Sequence, residues 1–74
     1  MTTLTMATAT PDERVAYLMH RSMALAARWV ESGLTPREVD RFGRVTKALA
    51  RALGDDPTAL QIALVEDARS EVAA

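Results

Sequence analysis

The segment Gly33-Leu34-Thr35-Pro36-Arg37-Glu38 ends one helix and begins the next. Glycine readily adopts the left-handed conformation that stops a helix, so Gly33 predicts a helix end at Ser32. Thr35 and Glu38 have the spacing of a capping box, and Pro36 fits the first helical turn. The segment therefore predicts two helices that are joined by a short connection.

The same signals recur on both sides of this segment. Upstream, Thr10-Pro11-Asp12-Glu13 repeats the capping box with its proline. Downstream, Gly54 predicts a second helix end, and Asp56 before Pro57 predicts a third start. Alanine is abundant and β-branched residues are sparse, which also favours helices. We therefore predict an all-α protein, a small three-helix bundle with helices over about 11–32, 36–53 and 57–72.

The length of 74 residues is that of one small domain. Residues 1–9 are uncharged, rich in threonine and without periodicity, which is typical of a flexible N-terminal tail. Residues 10–74 are predicted to form a single three-helix domain. The chain has no cysteine for a disulfide or a zinc site, and this fits a cytoplasmic location. No stretch is apolar enough to cross a bilayer, so we expect no membrane partner.

One copy of so short a chain is expected to be only marginally stable. The third helix adds to this problem, because its apolar residues spread over half of the helical wheel or more instead of forming a narrow stripe. A second copy is the simplest cover for this surface, and we predict a homodimer. The predicted dimer interface consists of Trp29, Leu60, Ile62, Leu64, Val65 and Val72.

The net charge of -1 gives no global attraction to nucleic acid, but the charges are separated along the chain. Residues 34–54 carry +3 and residues 55–74 carry -4, so the two helices could pair their charges within a chain or across a dimer. Five basic residues share the polar face of the second helix. We predict that this face contacts an acidic protein surface, or phosphate, through Arg37, Arg41, Arg44, Lys47 and Arg51.

The sequence offers little that could carry catalysis. An enzyme needs a nucleophile, a base or a metal in a pocket, and the single histidine, His20, is predicted on the polar face of the first helix. There is no HExxH, CxxC, GxSxG or glycine-rich phosphate-binding motif. The carboxylate pairs at 12–13 and 55–56 stand at helix starts, where capping explains them. We therefore expect no catalytic residue, no metal and no cofactor.

The stretch Leu49-Ala50-Arg51-Ala52-Leu53-Gly54, followed by Leu60 and Ala63, resembles the DNA-binding helix-turn-helix motif. The resemblance implies a transcriptional regulator whose motif spans residues 45–66, with a recognition helix that begins at Pro57. Asp55 stands where such motifs usually carry an apolar residue. Glu66 and Asp67 would also bring negative charge close to the DNA phosphates.

We therefore favour a helical protein–protein interaction or regulatory module that acts as a homodimer. The alternative is a helix-turn-helix DNA-binding protein. Short connections suit both an antiparallel hairpin and the near-perpendicular helices of that motif, so the local sequence leaves the arrangement of the last two helices open.

Overall fold

A computed structural model describes residues 10–73, and the predicted tail over residues 1–9 lies outside this range. The described residues form three α-helices and no strand: α1 (Pro11–Ser32), α2 (Pro36–Leu53) and α3 (Pro57–Ala73). The predicted all-α class is confirmed, and the helix bounds agree with the prediction to within one residue. Each helix packs against both of the others, so the three helices enclose one common core.

The helix starts use the predicted caps. The Thr10 hydroxyl accepts a hydrogen bond from the backbone N–H of Glu13, and the Glu13 carboxylate accepts one from the Thr10 N–H, both at 3.2 Å. Thr35 and Glu38 form the same reciprocal pair at 3.2 and 3.0 Å. At α3, Asp56 Oδ2 accepts a hydrogen bond from the Ala59 N–H at 2.9 Å. These contacts pair N–H groups that would otherwise have no partner within the helix.

The two glycines end their helices in different ways. Gly54 adopts the predicted left-handed helical conformation, with φ 75° and ψ 24°. Gly33 also has a positive φ of 81°, but its ψ of 168° is extended. This conformation is almost restricted to glycine, and it leads the chain directly into the Thr35 cap. The prediction of a left-handed stop at Gly33 is therefore correct in the sign of φ but not in ψ.

The centre of the molecule contains few large apolar side chains. Phe42 and Leu49 of α2 are the large apolar residues that are fully buried within the described range. The other buried positions are occupied by small residues, namely Ser22, Ala26, Thr46, Ala50 and Ala68. Small residues allow the helices to approach each other, but they bury little apolar area per residue. This core is consistent with the expectation of marginal stability for a lone chain.

The sequence leaves two explanations for Gly43 in the interior of α2, close approach of another helix or simple tolerance. The structure excludes close approach, because a Cβ atom added to Gly43 would meet no heavy atom within 4 Å. Gly43 is exposed at the side of α2 that faces α3. The glycine is therefore tolerated there and is not required by packing.

The third helix contributes little to the core. Ala68 is the one residue of α3 that is buried, among those whose side chains are described. Leu64 and Val65 are partly buried against the core cluster around Phe42. Ile62 and Val72, by contrast, are 53% and 59% exposed, the largest values for any large apolar side chain in the described range.

Candidate interaction surfaces

A row of side chains along one side of α3 forms the first candidate surface, which we call the α3 stripe. It consists of Ile62, Val65, Glu66, Arg69 and Val72. Successive members are one or three residues apart in the sequence, so they share one face of the helix. The most exposed apolar side chains stand at its two ends, and a glutamate and an arginine lie between them.

Trp29 of α1 widens the α3 stripe into a shallow groove of about 240 Å³. The groove is lined by Trp29, Gln61, Ile62, Val65, Glu66 and Arg69. The indole packs edge-on against Phe42, with the ring centroids 5.7 Å apart, and it remains 38% exposed. One side of Trp29 therefore belongs to the core while the other is available to a partner, an arrangement that suits an interface anchor.

The structure divides the six predicted interface residues into two groups. Trp29, Ile62 and Val65 line the groove, and Val72 lies on the same stripe. Leu64 instead packs against the core cluster, and Leu60 is partly buried beside the acidic connection at Asp55 and Asp56. Leu60 and Leu64 therefore lie outside the groove, whereas Val65 borders both the groove and the core cluster.

The basic face of α2 is the second candidate surface. Its five predicted members, Arg37, Arg41, Arg44, Lys47 and Arg51, are all exposed. Arg44 forms an ion pair with Asp40 one turn earlier, at 2.8 Å between Nη2 and Oδ2. The other four side chains form no ion pair with any residue of the described range. Most of the positive charge on this face is thus available to a partner.

The opposite charges of α2 and α3 do not pair within the chain. Among the described residues, no ion pair joins a base of α2 to an acid of α3 or of the connection before it. Of the two possibilities that the sequence leaves open, pairing within a chain is therefore not seen among the described residues. Both charged surfaces face solvent in the single chain.

One cross-helix ion pair was not predicted. Arg28 Nε of α1 lies 3.0 Å from Glu38 Oε2 of α2, and the Glu38 side chain is only 21% exposed. The backbone N–H of Thr35 is the main cause that lowers the pKa of Glu38, with smaller contributions from the Thr35 hydroxyl, Arg28 and Arg41. The sequence contains no signal for this pair, because it depends on how α1 and α2 dock.

No metal centre is visible in the described range. His20 is exposed. Within residues 10–72, no three His, Cys, Asp or Glu side chains are grouped so that they could bind a metal ion. None of the described helices combines the length and the apolarity needed to span a bilayer.

Comparisons with protein-family models, with curated proteins and with solved structures found no match to this chain. Function is therefore inferred from the two surfaces described above.

Proposed function

We propose that the chain is a small protein–protein interaction module that forms a homodimer through α3 and presents the basic face of α2 to an acidic partner protein. The observation that carries the proposal is the exposure of Ile62 and Val72 on one face of a helix. Exposed apolar side chains that line up in this way, next to a half-exposed tryptophan, are typical of interaction sites. The absence of cysteine from the sequence supports a cytoplasmic module.

The poor core of the single chain supports the dimer. Three of the five buried apolar residues are alanines, so one copy buries few large side chains in the described range. Association would remove the surfaces of Trp29 and Ile62 from water, which stabilises the folded state in proportion to the apolar area buried. Stability and association are then linked, as they are in obligate dimers.

A substitution at the centre of this surface tests the dimer. Ile62→Glu places a charge on the groove and is expected to raise the dimer dissociation constant by at least about tenfold, because a charge cannot be buried unpaired without a large cost. Sedimentation equilibrium provides the measurement. Ala63→Glu adds the same charge at the neighbouring exposed position, away from the stripe, and should leave association nearly unchanged. Equal association of both variants would contradict a dimer through this face.

We propose that the module exerts its regulatory role through the basic face of α2. Arginine side chains bind carboxylates in a bidentate manner, and those of Arg37, Arg41 and Arg51 form no ion pair among the described residues. An acidic protein surface would neutralise this charge. The dimer would present two such faces, so its affinity for a partner with repeated acidic sites would exceed that of one chain.

A charge reversal tests this face. Arg44→Glu combined with Arg51→Glu should abolish binding to a fluorescent polyglutamate peptide, measured by anisotropy at low ionic strength, while the melting curve stays close to that of the unmodified protein. Both side chains are exposed, and the ion pair that Arg44 forms with Asp40 is exposed as well, so the fold depends little on them. Unchanged peptide binding by the double variant would show that the face is merely solvated.

The helix-turn-helix alternative has one observation in its favour, the left-handed turn at Gly54 between two packed helices. The exposed acids Glu66 and Asp67 oppose it, since a recognition helix lies between two rows of phosphates. Binding of duplex DNA that weakens steeply as salt is added would favour this alternative. The interaction module is expected to leave the duplex unbound.

A further inference from the structure

We propose that the α3 stripe is its own complement and that two copies of α3 pair antiparallel across a two-fold axis near position 67. In this arrangement Ile62 of each copy faces Val72 of the other, and Glu66 of each copy pairs with Arg69 of the other. The inference rests on the proposed homodimer and adds its geometry.

The spacing of the stripe is that of a helix–helix seam. Ile62, Val65, Arg69 and Val72 follow one another at intervals of three, four and three residues. The two apolar ends are ten residues apart, which is about 15 Å along a helix. A second helix that crosses at a small angle can therefore cover both ends at once.

The two ends of the stripe are both apolar and lie at equal distances from its centre, whereas Val65 lies at the level of Arg69 of an antiparallel copy. Positions 62 and 72 are equally far from 67, and so are positions 65 and 69. An antiparallel copy thus places an apolar residue opposite each apolar end. A two-fold interface needs a surface of this kind, because the same patch serves both copies.

The charges specify the direction of pairing. Glu66 and Arg69 both line the groove beside Trp29, and neither forms an ion pair within the described chain. Antiparallel pairing brings Glu66 within one residue of the level of Arg69 in the other copy, twice in each dimer. Parallel pairing would instead place Glu66 against Glu66 and Arg69 against Arg69, and like charges in register oppose association.

The remaining acids of α3 do not oppose this arrangement. Asp67 and Glu71 are each two residues from Arg69, so they lie about 200° around the helix from it. Asp55 and Asp56 precede α3 and lie at the far end from its centre. The repulsion between two acidic helices therefore acts mainly outside the seam and is screened by salt.

A set of charge reversals tests the pairing. Glu66→Arg and Arg69→Glu, each alone, replace two attractive pairs by two repulsive ones and should raise the dimer dissociation constant about tenfold at low ionic strength. An equimolar mixture of the two variants should associate about as tightly as the unmodified protein, because every pair in the mixed dimer is again of opposite charge. Glu71→Arg makes the same charge change outside the stripe and serves as the matched control, with little expected effect.

A distance measurement tests the direction without any charge change. Because the chain has no cysteine, Thr58→Cys introduces a single site for a nitroxide label. Antiparallel pairing about position 67 places the two labelled backbones about 28 Å apart, whereas parallel pairing places them about 10 Å apart. Pulsed electron paramagnetic resonance separates the two values.

The outcomes distinguish this inference from the proposed function. If the unmodified protein dimerises but the single reversals bind as well as it does, or if the mixture is no tighter than either variant, the antiparallel pairing is overturned and the dimer stands. A label distance near the value for parallel pairing would likewise overturn the antiparallel pairing and leave the dimer. If the unmodified protein stays monomeric at every concentration, the proposed dimer itself fails.

Discussion

At the scale of single residues, Ser22 and Gly43 are two positions in helix interiors where the native residue gives the protein less stability than the fold allows. The Ser22 hydroxyl is fully buried in α1 and has no hydrogen-bond partner among the described residues. The Thr46 hydroxyl, which is buried to a similar extent, donates to the Phe42 carbonyl at 2.6 Å. A buried hydroxyl without a partner loses its hydration and gains nothing in return. The buried hydroxyl of Ser22 therefore lowers the stability of the folded state, and packing alone does not explain why a serine stands there.

Ser22→Ala is expected to stabilise the protein by about 1 kcal/mol, since it removes the unpaired hydroxyl and improves helix propensity. Urea denaturation of the variant and of the unmodified protein, at equal chain concentration, gives the difference. A loss of stability would mean that Ser22 has a partner in solution.

Gly43→Ala is likewise expected to stabilise the protein, by about 1 kcal/mol, because the added methyl group enters open space on a regular helix. Gly54→Ala provides the contrast. Gly54 has a φ of 75°, so the same methyl group should destabilise the protein by about 1 kcal/mol. Thermal melts distinguish the two variants, and an equal effect of both would contradict the structural distinction between them.

At the scale of the elements, the junction of α1 and α2 is the most strongly specified part of the chain. Gly33 ends α1 with hydrogen bonds to the Arg28 and Trp29 carbonyls, and Thr35 begins α2. Glu38 then acts twice, as the capping partner of Thr35 and as the ion-pair partner of Arg28. This junction joins the helix that carries Trp29 to the helix that carries the basic face.

The junction makes stability depend on pH. The pKa of Glu38 is lowered in the folded state, so its contribution is fully present above the ordinary glutamate value of about 4.3 and is lost as the pH falls through the folded-state value. Glu38→Gln should therefore destabilise the protein at neutral pH and flatten the decline between about pH 5 and pH 3. Urea denaturation at several pH values tests this, with Glu31→Gln as the matched exposed control. An unchanged pH profile in the Glu38 variant would contradict the role of this carboxylate.

The bounds of the helices could be predicted because their signals are local. Each cap lies within four residues of the group it binds, so the spacing of Thr10 and Glu13, or of Asp56 and Pro57, is visible in the sequence. The Arg28–Glu38 pair, the unpaired Ser22 hydroxyl and the inward position of Leu64 could not be predicted. They depend on how the helices dock, and α3 lacks the one-sided apolar pattern that would indicate its inner face.

At the scale of the whole molecule, the single chain leaves two surfaces without a partner. One is the apolar α3 stripe with Trp29, and the other is the basic face of α2. The proposed self-association would cover the first surface and leave the second free, so one chain could both assemble and bind a partner. Because folding and association are then coupled, the melting temperature should rise with protein concentration.

The solution mass of the unmodified protein tests the central claim most directly. Sedimentation equilibrium over a range from low micromolar upwards should give a mass that rises from 8.0 kDa towards twice that value, with no change when duplex DNA is added. A mass of 8.0 kDa at every concentration, together with a melt that is independent of concentration, would contradict the claim that a second copy covers α3.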